Sequence, residues 1–205
     1  MMSSETKVQL SPDPKYRQMV EFLTDLGTEK IGHSGDKKYL AHLISVFNDV
    51  RNWGGPQYLA RSGMFHSIYG TQLFQGFTIP LERRDELIGL IGEEAEWIAF
   101  LNCFVHREPF DQAIIDGNQD YLVYNRETGE KYQLSEQNWK DLIFLHLCDW
   151  LEQIERLHWW DYRRQAWVAM ANYLGGVAKQ KYEEVMAREP DRALGLHAVA
   201  PESPH

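Results

Sequence analysis

The stretch from His33 to Thr71, HSGDKKYLAHLISVFNDVRNWGGPQYLARSGMFHSIYGT, decides the fold of this chain. It contains two apolar helical patterns, separated by Trp-Gly-Gly-Pro at residues 53–56. The glycine pair is typical of a helix stop, and the proline suits the first turn of a helix, where its missing N–H costs nothing. His42 lies on the first helix and His66 near the end of the second. Because the break is short, we expect the helices to be antiparallel neighbours on which the two histidines can converge.

Outside this stretch the chain is also predicted to be mainly helical. Residues 121–134, YLVYNRETGEKYQL, have β-branched and aromatic residues on both sides of a Glu-Thr-Gly turn, which predicts a small β-hairpin. Ser135 is a candidate N-cap for the helix that follows. Helical spacing of apolar residues recurs in the segments 16–26, 37–53, 56–70, 81–91, 93–106, 139–156, 162–174 and 177–188.

Length and composition indicate one domain. A chain of 205 residues can build one sizeable core and is short for two. We predict a flexible arm at residues 1–14, a single helical domain at 15–189 and a flexible tail at 190–205. The net charge of −9 argues against nucleic acid as a partner, since binding to nucleic acid depends on neutralising phosphates. No basic leader precedes an apolar run, and no apolar run approaches the roughly 20 residues of a membrane helix, so we expect no membrane partner and a cytoplasmic protein.

The two cysteines, Cys103 and Cys148, both lie in apolar helical segments. Buried free thiols are the preferred interpretation, because buried cysteine packs as a small hydrophobic residue. A single disulfide is the alternative.

The carboxyl-terminal half is rich in tryptophan. Rings at helical spacing are usually part of a core, but some of them could line a ligand cavity or form a homo-oligomer contact. Trp159 and Trp160 are adjacent and cannot both face the same core, so one of them is left for a partner. The tryptophans concerned are Trp139, Trp150, Trp159, Trp160 and Trp167.

The layout of His42 and His66 resembles that of the HD-domain superfamily of helical metal-dependent enzymes. There an isolated histidine opens one helix and a His-Asp pair ends the next, whereas this chain has His66-Ser67. The motif HSIYGT is similar to that of an uncharacterised bacterial branch of HD-domain-like proteins. The resemblance covers about residues 33–155 and implies an HD-domain-like helical bundle.

A metal site needs neutral imidazoles and carboxylates that converge from different elements. The resemblance implies an aspartate on a late helix, and the segment LHLCDWLEQ offers Asp149. An acid among apolar neighbours is costly to bury unless it is paired or bound to metal. We therefore predict that His42, His66 and Asp149 bind a metal. The alternatives are histidines that are hydrogen-bonded in a core, and an Asp149 that faces solvent.

Ser67 determines which metal centre is expected. In the resembled superfamily the aspartate at this place contacts two metals, and a neutral hydroxyl cannot replace its charge. A dinuclear centre is therefore not expected. Two histidines and one carboxylate can hold one divalent transition metal, and this arrangement suits non-haem iron with open positions. An empty, degenerate site is equally compatible with the sequence.

Further residues are candidates for a role in the pocket. His33 is interpreted as a general base or an additional ligand, with a solvated loop histidine as the alternative. From the HSIYGT motif we expect Ser67, Tyr69 and Thr71 to form a pocket wall, with Tyr69 and Thr71 orienting the substrate. The pair His106-Arg107, after an apolar helix, would bring a cation to an anionic substrate, or would serve only helix-end electrostatics.

Two functions remain open from the sequence. The first is an HD-domain-like enzyme with a mononuclear, iron-type centre, an oxygenase or hydrolase that acts on a small polar or anionic metabolite. The second is a non-catalytic ligand-binding or scaffold protein with a degenerate site. Metal content distinguishes the two.

Overall fold

The computed structural model describes residues 13–33 and 37–200. Within these ranges the chain is mainly helical with one two-stranded antiparallel sheet, as predicted. In the sheet Leu122 pairs with Gln133 and Tyr124 with Lys131. The elements are α1 (Tyr16–Asp25), α2 (Tyr39–Asn52), α3 (Gln57–Phe65), α4 (Arg84–Ile91), α5 (Glu93–Phe104), α6 (Arg107–Ile115), β1 (Leu122–Tyr124), β2 (Lys131–Gln133), α7 (Glu136–Leu157), α8 (Arg164–Leu174) and α9 (Gly176–Met186).

Helices α2 and α3 pack directly against each other, because small residues let them approach. Gly54 ends α2 in the left-handed region, with φ of +85°. On α3, a Cβ added at Gly63 would lie 3.3 Å from Val46 Cγ1 and 3.4 Å from Val50 Cγ2, both on α2. A larger residue at Gly63 would therefore push the helices apart. This contact brings the end of α3, which carries His66, against the face of α2 that carries His42.

Helix α7 is the longest element and packs against α2, α3 and α5 on one side and α8 on the other. Its first turn is capped as predicted, since the Ser135 side chain accepts a hydrogen bond of 3.1 Å from the Asn138 amide. Its buried apolar residues join those of α2, α3 and α5 in one continuous core. Asp149 lies in the second half of α7 and faces the junction of α2 and α3.

Four features differ from the sequence predictions. Helix α6 was not predicted, and α8 begins at Arg164 rather than at residue 162. The segment that was predicted to continue α3 to residue 70 instead turns, since the helix ends at Phe65 and His66 is its C-cap. The flexible arm was predicted to extend to residue 14, but Asp13 is already buried and accepts hydrogen bonds of 2.8 and 3.0 Å from Arg61.

The predicted flexible tail is described as far as residue 200, and there it contacts the helical body. Arg192 pairs with Asp161, and the Ala198 amide donates to the His158 carbonyl at 2.9 Å. Residues 1–12 of the predicted arm and 201–205 of the tail lie outside the described residues.

Both cysteines are buried free thiols, as preferred from the sequence. Trp139, Trp150, Trp160 and Trp167 are buried within the protein, and half-buried Trp159 lines a cavity. Four of these five rings therefore belong to the core, and the predicted homo-oligomer contact stays a prediction. Among the described helices, none is both long enough and apolar enough to cross a membrane.

Candidate metal centre

His42, His66 and Asp149 converge at one point, from α2, the end of α3 and α7. The two Nε2 atoms are 3.3 Å apart. Asp149 Oδ1 lies 3.1 Å from His42 Nε2 and 3.2 Å from His66 Nε2. Within the described part of the chain, the three residues form a group whose ligand atoms are all mutually close enough to share an ion. The structure therefore brings together the three residues that were predicted as ligands.

The other nitrogen of each histidine determines where its proton lies. His42 Nδ1 is 2.5 Å from Glu152 Oε2, and His66 Nδ1 is 2.8 Å from the Gly63 carbonyl oxygen. Carbonyl and carboxylate oxygens accept hydrogen bonds, so both Nδ1 atoms donate. A neutral ring protonated at Nδ1 carries its lone pair on Nε2. Both Nε2 atoms thus point into the space shared with Asp149, and in the neutral rings their lone pairs are available to a metal. Burial would lower the pKa of His42, but hydrogen bonds to Asp149 and Glu152 raise it, so a proton competes with a metal for this space.

Asp149 is oriented and ionised. Its Oδ1 accepts a hydrogen bond of 3.0 Å from Gln153, one turn later on α7. Burial by itself would raise the pKa of Asp149, but the neighbouring His66 and His42 outweigh it and hold the pKa well below its usual value. The side chain keeps 16% of its surface exposed, whereas His42 has none exposed. Asp149 is therefore more accessible than His42 from the cavity described below.

The spacing of the three ligand atoms fits a transition metal. Atoms separated by 3.1 to 3.3 Å are each about 2.1 Å, a normal metal–nitrogen distance, from a point about 1 Å outside their plane. An ion at that point would have three protein ligands on one face and open positions on the other. Two imidazoles and one carboxylate on one face form the donor set of non-haem iron(II) sites, and zinc accepts the same donors. The residues present therefore fit a divalent transition metal.

Glu152 supports this centre, and it was not predicted. Its carboxylate accepts from His42 and is also bound by Lys37 and by Arg156 at 2.7 Å. Burial would raise the pKa of Glu152, but the bond from His42 and the two cations lower the pKa to about 2. The sequence did carry a signal, because Glu152 follows Asp149 by three residues and therefore shares its face of α7.

A cavity of about 250 Å³ opens beside the triad. His66 and Asp149 form part of its wall, so molecules in the cavity can reach two of the three ligands. Much of the remaining surface is apolar or aromatic. The apolar lining residues are Leu73, Phe74, Trp150, Leu157, Trp159 and Trp167.

His33 lies in the cavity wall and stacks on His42, with ring centroids 4.3 Å apart. It does not join the triad as a fourth ligand, since it is not in the group of mutually close ligand atoms. Both of its ring nitrogens are buried and have no hydrogen-bond partner among the described residues. Burial lowers the pKa of His33 to about 3, with a further contribution from His42, so the ring is neutral. An imidazole with so low a pKa is a weak base at neutral pH, so the role of His33 as a base stays a prediction.

The HSIYGT motif is only partly directed at the cavity. Ser67 and Thr71 line it, in agreement with the predicted wall. Tyr69 does not, because its hydroxyl donates to Glu96 Oε1 at 2.8 Å. Two hydrogen bonds from Arg84 hold Glu96 on the side of Tyr69 that lies away from the cavity. The expectation that Tyr69 orients substrate is therefore wrong, since the side chain is committed to this buried network.

The far end of the cavity contains polar groups from three elements. Arg107 begins α6, His146 lies on α7, and Tyr162 and Arg163 lie in the turn before α8. This turn is bounded by two non-glycine residues in the left-handed region, His158 with φ of +57° and Arg163 with φ of +50°. Only Arg107 was predicted. His146 was detectable, because it precedes Asp149 by three residues on the same helix.

A second group of potential ligands lies at the surface. Asp161, Glu189 and His197 are close enough to share an ion. Their carboxylates are already neutralised, since Arg164 binds Glu189 at 2.6 Å and Arg192 binds Asp161. This group therefore has less free negative charge for a cation than the buried triad.

Comparison with known proteins gives one match. A family described as "Domain of unknown function (DUF6817)" matches residues 22–107. Searches of curated proteins and of solved structures found nothing similar. The matched segment contains His33, His42 and His66 and ends before α7, which supplies Asp149.

Proposed function

We propose that the protein is a metal-dependent enzyme with a mononuclear centre, in which His42, His66 and Asp149 bind one divalent transition metal of the iron type. Its substrate would be a small polar or anionic metabolite held in the adjacent cavity. The observation that carries this proposal is the convergence of two Nε2 lone pairs and one ionised carboxylate within 3.3 Å of one another. Without a metal, protons on these nitrogens would have to occupy the space that the ion fills.

The surrounding residues support a reaction at this point. Bound metal would supply a Lewis acid with open positions toward the cavity. Neutral His33 lies beside the ligands, and its ring nitrogens have no partner among the described residues, so a bound molecule would be the partner that they lack. The apolar walls formed by Phe74, Trp150 and Trp167 restrict water around the reacting group.

An HD-domain-like origin is part of the proposal and rests on the sequence resemblance. In that frame Ser67 replaces the bridging aspartate. Its hydroxyl contacts the Tyr39 hydroxyl at 3.0 Å, so Ser67 has a hydrogen-bond partner and does not need a second metal as a neighbour. The arrangement therefore favours a mononuclear centre over a dinuclear one.

The proposal is tested by metal analysis of matched histidine variants. Protein stripped with a chelator is titrated with iron(II) without oxygen, and with zinc, by calorimetry and elemental analysis. Wild-type protein should bind one equivalent, whereas His42→Ala and His66→Ala should bind at least about 100-fold more weakly, since each removes a ligand. His106→Ala is the control, because His106 is exposed and lies outside the triad.

Two results would overturn the proposal. Stoichiometric metal in a His42→Ala, His66→Ala double variant would place the ion elsewhere, for example at Asp161, Glu189 and His197. A wild-type protein that binds no divalent metal would favour the non-catalytic ligand-binding or scaffold protein with a degenerate site.

A further inference from the structure

Arg107 is a buried cation without a counterion. Its residue surface is 9% exposed, and one guanidinium NH1 donates to the Tyr162 hydroxyl at 3.0 Å. Within the described ranges no carboxylate lies within 4.0 Å of it, and the guanidinium lines the cavity. Neighbouring Arg163 differs, since Asp111 binds it through both carboxylate oxygens. An unpaired buried charge is costly, and a bound anion in the cavity would remove that cost.

His146 adds a donor beside Arg107. Its Nδ1 lies 3.5 Å from Arg163 NH1, and because a guanidinium only donates, Nδ1 accepts and the proton lies on Nε2. This Nε2 is buried and has no partner among the described residues, although His146 is only 3% exposed. Burial, together with Arg163 and Arg107, keeps the pKa of His146 well below its usual value, so the ring is neutral. His146 therefore lines the same cavity as Arg107 and carries a buried N–H without an acceptor among the described residues.

The charge at this end favours a monoanion. Asp111 neutralises Arg163, while His146 and Tyr162 are neutral donors, so Arg107 supplies one uncompensated positive charge. A carboxylate matches one charge and accepts several hydrogen bonds. A phosphate dianion would leave one negative charge unpaired in a mostly apolar cavity.

The walls indicate what the anion is attached to. Trp150 and Trp167 stack at 4.6 Å between ring centroids, and Trp159 and Phe74 also line the space. The volume of about 250 Å³ is below the about 300 to 1,000 Å³ of pockets for drug-sized ligands. The cavity therefore suits a small molecule with a flat or apolar body.

We propose that this end of the cavity is a carboxylate-binding subsite, in which Arg107, the Tyr162 hydroxyl and His146 Nε2–H bind the carboxylate of a small aromatic or apolar acid. The body of the acid lies along the tryptophan wall, with its other end toward Asp149. The subsite deepens the proposed function, because it names the substrate class of the same cavity. It does not depend on metal for its binding of the carboxylate.

The test compares three probes of similar shape on metal-free and metal-loaded protein. Benzoate carries one charge, benzamide none and phenyl phosphate up to two. Binding is followed by quenching of tryptophan fluorescence, which Trp150, Trp159 and Trp167 report from the cavity wall, and by the rise in melting temperature. Benzoate should bind more tightly than both other probes, with or without metal.

Variants assign the binding to these residues. Arg107→Gln should weaken benzoate binding by about tenfold or more, since a charged hydrogen-bond partner is lost. His146→Phe keeps the ring volume and removes the donor, so it should also weaken binding, and it keeps the test valid if Arg107→Gln does not fold. Arg17→Gln is the matched control, because that side chain is 88% exposed on α1.

The outcomes separate this proposal from the metal site. Absence of benzoate binding to the wild type, equal affinity in the folded Arg107→Gln or His146→Phe variant, or tighter binding of benzamide or phenyl phosphate would overturn the subsite. If metal nevertheless binds His42 and His66 stoichiometrically, the proposed metal function stands without it. If benzoate binding requires Arg107 but the protein binds no metal, the carboxylate subsite stands and the proposed metal-dependent enzyme is refuted.

Discussion

Ser67 is the residue at which this chain departs from a His-Asp pair, and its hydroxyl has a structural partner. Ser67 Oγ lies 3.0 Å from the Tyr39 hydroxyl, and both side chains are buried. Ser67→Ala would leave the Tyr39 hydroxyl without a partner among the described residues. We expect a loss of about 1 to 3 kcal/mol in the free energy of unfolding, measured by urea denaturation. Metal stoichiometry should not change, because Ser67 is not one of the three ligands.

The control for this prediction removes both hydroxyls. Tyr39→Phe in the Ser67→Ala background should recover much of the lost stability, since replacing both partners leaves no unsatisfied buried group. A Ser67→Ala protein that keeps its stability but loses its metal would instead make the hydroxyl part of the metal centre.

Residue types and spacing made part of the site predictable. His42, His66 and Asp149 were found because histidines on consecutive helices and an acid in an apolar segment are conspicuous. The spacing of His146, Asp149 and Glu152 by three residues also places these side chains on one face of α7. Tyr69 was assigned wrongly, because a sequence motif does not tell which neighbour a side chain meets. Tyr162 and Arg163 depend on a turn geometry that the sequence does not reveal.

At the scale of elements, the contact between α2 and α3 sets the distance between the two histidines. Gly63→Ala would place a methyl group 3.3 Å from Val46 Cγ1. Overpacking costs about 1 to 3 kcal/mol, which exceeds the about 0.5 to 1 kcal/mol that alanine gains over glycine in a helix. We therefore expect Gly63→Ala to lower the free energy of unfolding and to weaken metal binding, because His66 moves with α3.

Gly89→Ala is the matched control on α4. A Cβ there would meet no atom within 4 Å, and its φ is not in the left-handed region. This variant should raise the free energy of unfolding by about 0.5 to 1 kcal/mol. If Gly63→Ala and Gly89→Ala stabilise the protein equally in urea denaturation, the methyl group added at Gly63 is accommodated between α2 and α3 without a cost in stability.

Most elements were predictable because their signals are local. Apolar periodicity marked the helices, Gly-Gly-Pro marked the break between α2 and α3, and Ser135 marked the start of α7. Helix α6 was missed because it is short, has Pro109 in its first turn, and shows only Phe110 and Ile114 as a buried pair. The start of α8 was misplaced because the left-handed residues before it, His158 and Arg163, are not glycines.

At the scale of the whole molecule, Asp13 connects the helices α1, α3 and α4. Asp13 accepts two hydrogen bonds from Arg61 on α3, and Arg61 NH1 also reaches the Ile91 carbonyl at the end of α4 at 3.4 Å. The carboxylate also accepts from the Lys15 amide at the start of α1. Because Asp13 is buried, the ion pair links α1, α3 and α4 away from the metal centre.

This ion pair predicts a loss of stability in acid. Burial would raise the pKa of Asp13, but the bonds from Arg61 and the Lys15 amide outweigh it and lower the pKa below 3.8. A carboxyl group whose pKa is lower in the folded state stabilises the protein above its unfolded pKa, and this contribution disappears as pH falls through the folded pKa. Asp13→Asn should therefore cost about 1.5 to 3 kcal/mol at pH 7, and the difference from wild type should shrink below about pH 3.8.

The measurement is urea denaturation of metal-free wild type and Asp13→Asn across this pH range, so that acid release of metal does not contribute. Glu86→Gln is the control, since Glu86 pairs with Arg83 on the surface with about half of its side chain exposed, at 51%. Such exposed pairs contribute little, and we expect almost no difference from wild type. If the difference in the free energy of unfolding between wild type and Asp13→Asn stays constant at the lowest pH measured, the bond to Arg61 does not need the ionised carboxylate. The link between α1 and α3 would then depend on shape and neutral hydrogen bonding alone.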